Sequence, residues 1–220
     1  MYKRQQYARQ QALLEEAALP VANLNNMTTD NWQAQGNAKL YSQSAAIVDT
    51  LMNENHGQYQ SDFIDLLQVI YYKQARPNSF EKKLKLSFAQ VDQMFLNFLK
   101  IDAEKVSKHL SKPDTRTFLS FAQANLANGD YQKIGECINL SELDLSGQVL
   151  NKNDLQPLAN CPALHQLILV RCQFGPGALL ELVKLSSLTE VDLRQSQIGP
   201  TQANEINRLR QLKPGLTIKQ

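Results

Sequence analysis

Three histidines and one adjacent pair of glutamates are the side chains in this 220-residue sequence that most suit metal binding or acid–base chemistry. His56, His109 and His165 stand far apart in the chain, and no HExxH motif is present. A catalytic zinc needs three converging protein ligands, an open coordination position and a general base. Glu15 and Glu16 fall on a polar helix, which indicates solvated charge rather than an acid–base couple. The sequence therefore predicts no catalytic residue, no metal site and no cofactor.

The three cysteines admit two interpretations. Because the chain holds only Cys137, Cys161 and Cys172, a disulfide framework is not expected, and reduced, buried thiols are the first interpretation. Cys137 and Cys161 occupy equivalent positions in an internal repeat, so stacking could bring them close enough to bond. A redox pair or disulfide between these two residues is the alternative.

Leucines recur in phase three times in the C-terminal third of the chain. The windows LSELDLSGQVL, LHQLILVRCQF and LTEVDLRQSQI share the pattern L-x-x-L-x-L-x-x-[Q/C/S]-x-L, with other apolar residues standing at some leucine positions. Their central residues Leu143, Leu167 and Val191 follow one another at a constant spacing, which we call the repeat interval. A degenerate fourth copy of the repeat, PGLTIKQ, follows at nearly the same spacing and places Leu216 at the position equivalent to Val191. The x-L-x-L alternation predicts short strands whose leucines point inward and stack layer on layer, with helical turns between them.

This segment resembles the leucine-rich-repeat family, in the variant with helices on the convex side. The resemblance covers about residues 137–220 and implies a solenoid of three full coils and a partial fourth, with a small parallel sheet. The family usually has Asn or Cys where this chain has Gln148, Cys172 and Ser196, and there the side chain bonds backbone in the turn. Only Cys172 follows that preference, so the turns at Gln148 and Ser196 are expected to be less regular.

Alternate residues of the expected strands point away from the leucines and form a candidate partner-binding face. Ile168 and Val170 are apolar where the alternation calls for solvent, and acidic residues flank them. Such a patch is typical of protein contacts, although β-branched residues also suit an exposed strand. Arg171 and Arg194 are expected at the same edge, suited to an acidic partner. The predicted partner-binding residues are Glu142, Asp144, Gln166, Ile168, Val170, Arg171, Glu190, Asp192 and Arg194.

Residues 1–136 carry the apolar spacing of helices joined by short turns, for example Phe63, Leu66, Leu67 and Ile70 within residues 61–74. We expect a helical domain at residues 1–101, a helical linker and cap at 102–136, and the repeats at 137–220. Within the linker, residues 115–128 are expected to form one helix. The predicted fold class is mixed α/β, an all-helical N-terminal domain followed by the repeats.

Parts of the N-terminal region resemble the C-terminal helical half of gluzincin-type metallopeptidases, the peptidase MA-like group. The resemblance is carried by Met27, Thr28 and Trp32, by residues 40–52 with Tyr41, Gln43 and Ser44, and by residues 79–99. In that family zinc is held by HExxH and a downstream glutamate that precede the part matched here. The resemblance therefore implies part of a peptidase fold without its metal ligands.

The charge balance and hydropathy limit the class of partner. With 23 basic and 21 acidic residues, the formal net charge of +2 gives no reason to expect nucleic acid or an anionic membrane. No run approaches the ~18 apolar residues of a membrane span, and residues 1–11 show no secretory signal. We therefore expect a cytoplasmic location, or a periplasmic or secreted one if the chain is a fragment of a larger precursor.

Together these patterns predict a non-catalytic protein–protein interaction module. The strand face of the repeat is expected to bind a protein or peptide, with no nucleic acid partner and no membrane insertion. The alternative function is the non-catalytic C-terminal portion of a zinc metallopeptidase whose repeats recruit substrate, and a purely structural or assembly module is a third possibility. An upstream reading frame encoding HExxH would favour that alternative.

Overall fold

The computed structural model describes residues 8–14, 18–28, 30–31, 37–76 and 78–220. The chain divides into two compact units, Met1–Lys100 and Ile101–Gln220, each with its own hydrophobic core. The fold is mixed α/β, and the strands form parallel sheets in the second unit. Glu15, Glu16 and Trp32, for which predictions were made above, lie outside the described residues.

The described part of the first unit is helical. After a π-helical turn at Gln10–Leu14, its helices are α1 (Val21–Asn25), α2 (Asn37–Asn53), α3 (Gln60–Tyr71), α4 (Ser79–Leu84) and α5 (Phe88–Leu99), with a 3₁₀ turn at Glu54–Gly57. A capping box starts α5: the Ser87 hydroxyl accepts from the Gln90 backbone N–H, and the Gln90 side chain accepts from the Ser87 N–H. Val91, Phe95 and Leu99 are buried at helical spacing along this helix, so α5 packs one apolar face into the core.

The second unit alternates strands with helical turns. Its helices are α6 (Ala103–Leu110), α7 (Asn128–Gly135), α8 (Lys152–Leu155) and α9 (Pro200–Leu212). Its strands are β1 (Phe118–Ser120), β2 (Glu142–Asp144), β3 (Val149–Leu150), β4 (Gln166–Ile168), β5 (Gln173–Phe174), β6 (Glu190–Asp192) and β7 (Thr217–Lys219). Three 3₁₀ turns complete it, at Pro113–Thr115, Gln156–Asn160 and Leu179–Lys184.

A five-stranded parallel sheet organises the second unit. Its strand order is β1-β2-β4-β6-β7, and β3 pairs with β5 in a separate parallel ladder. The residues that lie opposite one another along the middle of the sheet are Leu119, Leu143, Leu167, Val191 and Ile218. The first four follow one another at the repeat interval, and each of these four is 0–2% exposed. The prediction that Leu143, Leu167 and Val191 lie adjacent in one parallel sheet is confirmed.

The helix predicted over residues 115–128 is wrong, because residues 118–120 form strand β1. Leu119 lies one repeat interval before Leu143 and opposite it, and the Phe121 N–H donates to the Asp144 carbonyl at 2.8 Å. Pairing with β2 provides hydrogen-bond partners for backbone N–H and C=O groups that would otherwise bond within a helix. The same pairing buries Leu119 and Phe121. Residues 101–136 therefore share one core with residues 137–220.

The register predicted for the last strand is also wrong. Ile218, not Leu216, lies opposite Val191, so the last interval is longer than the repeat interval. The connection before β7 contains the 13-residue helix α9, whereas the preceding connection contains a six-residue 3₁₀ turn. The longer return segment shifts the register of β7.

Candidate interaction face of the parallel sheet

Six side chains on β2, β4 and β6 form the face that the sequence assigned to partner binding. They lie in two rows across the sheet, because Glu142 pairs in register with Gln166 and Gln166 with Glu190, while Asp144 pairs with Ile168 and Ile168 with Asp192. We call these residues the strand face: Glu142, Asp144, Gln166, Ile168, Glu190 and Asp192. The in-register strands therefore bring together side chains that stand one repeat interval apart in sequence.

Only part of this face reaches solvent. Gln166, Ile168 and Glu190 are partly exposed, whereas Glu142, Asp144 and Asp192 are buried. The expectation that alternation leaves all six side chains in solvent is therefore wrong. Strand β1 continues the sheet beyond the predicted edge, so Glu142 and Asp144 have a neighbouring strand on both sides.

Val170 is a further correction, since its side chain is only 3% exposed. The alternating pattern predicts a strand position for Val170, but β4 ends at Ile168 and Val170 lies in the following turn. There its backbone N–H donates to the Ser146 hydroxyl at 3.3 Å. The apolar patch predicted from Ile168 and Val170 is therefore reduced to Ile168.

The two buried aspartates organise the turns that follow their strands. Each accepts a hydrogen bond from the backbone N–H two residues later, Asp144 from Ser146 at 3.0 Å and Asp192 from Arg194 at 3.1 Å. This arrangement is an Asx turn. Asp144 also accepts from the Ser120 hydroxyl of β1 at 2.9 Å. These carboxylates therefore hold the turns and the neighbouring strand, in addition to supplying negative charge.

Cations lie beside the acidic residues at the β6 end of the face. The Arg194 guanidinium holds Asp192 through two nitrogens, Nε to Oδ1 at 2.9 Å and Nη2 to Oδ2 at 2.6 Å. Lys219 donates to Glu190 at 2.6 Å, and Gln166 donates to the same Glu190 oxygen at 2.9 Å. Ile168 is therefore surrounded by polar side chains, with an aspartate opposite it on each neighbouring strand.

The turns after the strands repeat one backbone conformation. Gln123, Gly147, Arg171 and Gln195 follow one another at the repeat interval, and all four have positive φ, between 55° and 75°. The Arg171 N–H donates to the Arg194 carbonyl at 3.1 Å, and its guanidinium Nε donates to the Gln195 side chain at 2.7 Å. Arg171 and Arg194 are both exposed, so they lie together at one edge of the sheet, as predicted.

A ladder of side-chain hydrogen bonds ties each layer to the one before it. Gln148, Cys172 and Ser196 donate to the carbonyls of Phe121, Leu145 and Leu169, each 27 residues earlier, at 2.9, 3.3 and 2.6 Å. Amide, thiol and hydroxyl groups can all donate in this position. The expectation that the turns at Gln148 and Ser196 are less regular is therefore wrong.

The three cysteines are free, buried thiols in this structure. Cys161 donates to the Ile134 carbonyl at 3.2 Å, and Cys137 to the Lys133 carbonyl at 3.5 Å. Burial raises the pKa of Cys161 and of Cys172 to about 12 and also raises the pKa of Cys137. Since the thiolate is the reactive form, these environments oppose redox chemistry.

Alkylation kinetics test this assignment. A pKa of about 12 instead of the ordinary 9.0 leaves roughly 1,000-fold less thiolate near neutral pH, and burial limits access further. Iodoacetamide at pH 8 is therefore expected to label Cys161 and Cys172 at least about 1,000-fold more slowly in the native chain than in urea. Peptide mass spectrometry reports each site separately. Native labelling at the unfolded rate would contradict the burial of these thiols.

The histidines occupy separate places in the structure. His56 lies in the 3₁₀ turn after α2, His109 lies in α6 with its ring 6.1 Å from that of Phe121, and His165 immediately precedes β4. Among the described residues, no three His, Cys, Asp or Glu side chains are grouped so that they could hold a metal ion. The helices of the described ranges include none that is both long and apolar enough to cross a membrane.

Sequence reasoning missed three residues around the strand face. Ser120 and Gln123 lie one repeat interval before Asp144 and Gly147, so extending the repeat backward once would have found them. Lys219 reaches Glu190 only because β7 pairs with β6 at the longer last interval, which had no signal in the spacing.

No protein-family model and no curated protein matches this sequence, so the functional assignment rests on the geometry described above.

Proposed function

We propose that this chain is a non-catalytic leucine-rich-repeat module that binds a protein or peptide through its strand face. The solenoid assignment is supported by five parallel strands in chain order and by the hydrogen-bond ladder that recurs from layer to layer. A stack of this kind displays equivalent side chains side by side on a continuous surface, which is how repeat proteins bind partners.

The single observation that carries the proposal is the position of Ile168. It lies on β4, the middle strand of five, and it remains partly exposed between Asp144 and Asp192 while the leucine beside it is fully buried. Protein–protein interfaces commonly have an apolar core enclosed by a polar rim. A partly exposed aliphatic side chain surrounded by polar residues has this composition on a small scale. Ile168 is therefore the proposed apolar contact, and Gln166 and Glu190 are the polar contacts beside it.

The edge of the face suits a partner that also carries negative charge. Arg194 is paired with Asp192, but Arg171 bonds the neutral amide of Gln195, so this contact leaves its charge uncompensated. Arg171 is exposed and lies in the turn that follows the strand carrying Ile168. We propose that the partner places an apolar side chain on Ile168 and a carboxylate near Arg171.

Substitution of Ile168 tests the proposal. Ile168→Asp is expected to leave the chain folded, because the side chain is partly exposed, although a carboxylate placed between Asp144 and Asp192 should lower stability by up to about 1 kcal/mol. It is expected to reduce partner recovery by about tenfold or more, as loss of a central contact does. The immobilised chain would be used to recover proteins from a lysate of its source, and mass spectrometry would identify them. Circular dichroism would confirm that the variant is folded.

The matched control is Val149→Asp. Val149 is also β-branched and 63% exposed, but it lies on β3, outside the five-stranded sheet. A partner that binds the strand face should be recovered by the wild type and by this control, and lost only with Ile168→Asp. Equal recovery by all three chains would remove the strand face as the binding site.

A further inference from the structure

Helix α3 and Tyr72, the residue that follows it, present a stripe of apolar side chains to solvent on the first unit. The members of this stripe, which we call the α3 stripe, are Ile64, Leu67, Ile70, Tyr71 and Tyr72. They are between 41% and 80% exposed, and together with Gln68 they line a groove of about 460 Å³. Helical spacing places Leu67 and Ile70 in one apolar set with Phe63 and Leu66, but of these four residues only Phe63 and Leu66 are buried. The helix is therefore apolar on two sides, and one of them is uncovered.

The area of the α3 stripe is sufficient for a specific contact. Two largely exposed tyrosines and three half-exposed aliphatic side chains present on the order of 500 Å², near the upper end of the ~300–600 Å² of the largest patch on a typical monomer. Two such stripes placed face to face would bury on the order of 1,000 Å², which is about the minimum for a specific interface. A second copy of the same chain can therefore supply the missing cover.

The charges around α3 also suit a second copy. The stripe and Gln68 carry no charge, so two stripes can meet without burying like charges. Asp62 lies in the first turn of α3, whereas Lys73 and Arg76 follow its C-terminal end. In an antiparallel pair, the acidic start of one helix lies beside the basic end of the other. The two helix dipoles then point in opposite directions, so their interaction is also favourable.

Residue spacing sets the expected centre of the pair. Ile64, Leu67 and Tyr71 are three and four residues apart, so they follow one line along the helix. The midpoint of residues 64–71 falls between Leu67 and Gln68. An antiparallel pair centred there places Ile64 against Tyr71 of the other copy, and Leu67 next to its own equivalent at the two-fold axis.

We propose that the chain forms a two-fold symmetric dimer in which the α3 stripes of two copies pack antiparallel, with Leu67 at the axis. This inference goes beyond the proposed function and does not depend on it, because the α3 stripe lies on the first unit and the strand face on the second.

Sedimentation velocity of the full chain tests the dimer. The mass-average of the wild type is expected to rise from one chain toward two as concentration increases from about 1 to 200 µM, the range for an interface of this minimal size. Leu67→Glu and Leu67→Lys each place two like charges at the axis and are expected to raise the dissociation constant about 100-fold. Because Leu67 is about half exposed, both variants should fold, which circular dichroism would check.

Mixing the two variants tests whether Leu67 of one copy lies beside Leu67 of the other at the two-fold axis. An equimolar mixture of Leu67→Glu and Leu67→Lys chains places opposite charges at the axis and is expected to recover dimer that neither variant forms alone. Ile138→Glu, at an exposed isoleucine of the second unit, is the control and should dimerise like the wild type. A chain that stays monomeric at about 200 µM, a dimer that persists in Leu67→Glu, or a mixture without recovery would each overturn the proposal.

Discussion

Leu167→Ala is expected to destabilise the second unit by about 2–5 kcal/mol, the usual cost of truncating a fully buried leucine. Leu167 is 0% exposed on the central strand β4, and it stacks between Leu143 and Val191. Truncation removes contacts on both sides and leaves a cavity that two paired strands cannot close without disturbing their register. Hydrogen exchange of peptides from residues 137–193, followed against urea, would measure the loss where it occurs.

Val149→Ala is the control for that experiment. Its side chain is largely exposed, so the substitution should change stability by no more than about 0.5 kcal/mol. If Leu167→Ala unfolds at the same urea concentration as the wild type, the stacked-strand arrangement is contradicted.

Gly135→Ala is expected to cost about 1–3 kcal/mol by overpacking. Gly135 is the last residue of α7 and packs on the next layer, where an added Cβ would lie 2.6 Å from the carbonyl oxygen of Pro157. That oxygen belongs to backbone in the 3₁₀ turn Gln156–Asn160, so α7 and this turn must move apart. Urea denaturation followed by circular dichroism would give the change in the free energy of unfolding.

The same substitution elsewhere in α7 should have the opposite effect. A Cβ added at Gly129 meets nothing within 4 Å, so Gly129→Ala should be neutral or stabilising by up to about 1 kcal/mol, since alanine loses less backbone entropy than glycine. If Gly135→Ala costs no more stability than Gly129→Ala, the close packing of α7 on the Gln156–Asn160 turn is contradicted.

The part of the fold that the sequence predicted best is the part specified by local alternation repeated in phase. Each strand has one central apolar residue, Leu143, Leu167 or Val191, and the residues on either side of it in sequence are polar, apart from Ile168. Because the central residues are equally spaced, the strands must lie in register once they stack. The start of α5 is likewise specified locally, because the capping box of Ser87 and Gln90 involves only residues within one helical turn.

Strand β1 could not be recognised from local signals alone. Pro113 and Asp114 suit the start of a helix, and they do begin a 3₁₀ turn of three residues. The following residues then pair with β2, a partner one full repeat interval further along the chain. Tertiary pairing of this kind overrides local helix preference.

The exposure of the strand face was predicted least well. Alternation indicates on which side of a strand a residue lies, but it does not indicate what covers that side. Asp144 is buried by its bonds to Ser120 and to the following turn, and Asp192 by the guanidinium of Arg194. The resemblance of the first unit to gluzincin-type peptidases stays a prediction, and Trp32, one of its residues, lies outside the described part of the chain.

Site-specific photo-crosslinking is the most direct test of the claim that the strand face binds a partner. Benzoylphenylalanine would replace Ile168 in one chain and Val149 in another, and each chain would be irradiated with the partner recovered by the wild type. The account predicts a covalent product at position 168 and none at position 149. A product at position 149 alone, or no product at position 168 while the partner remains bound, would contradict it.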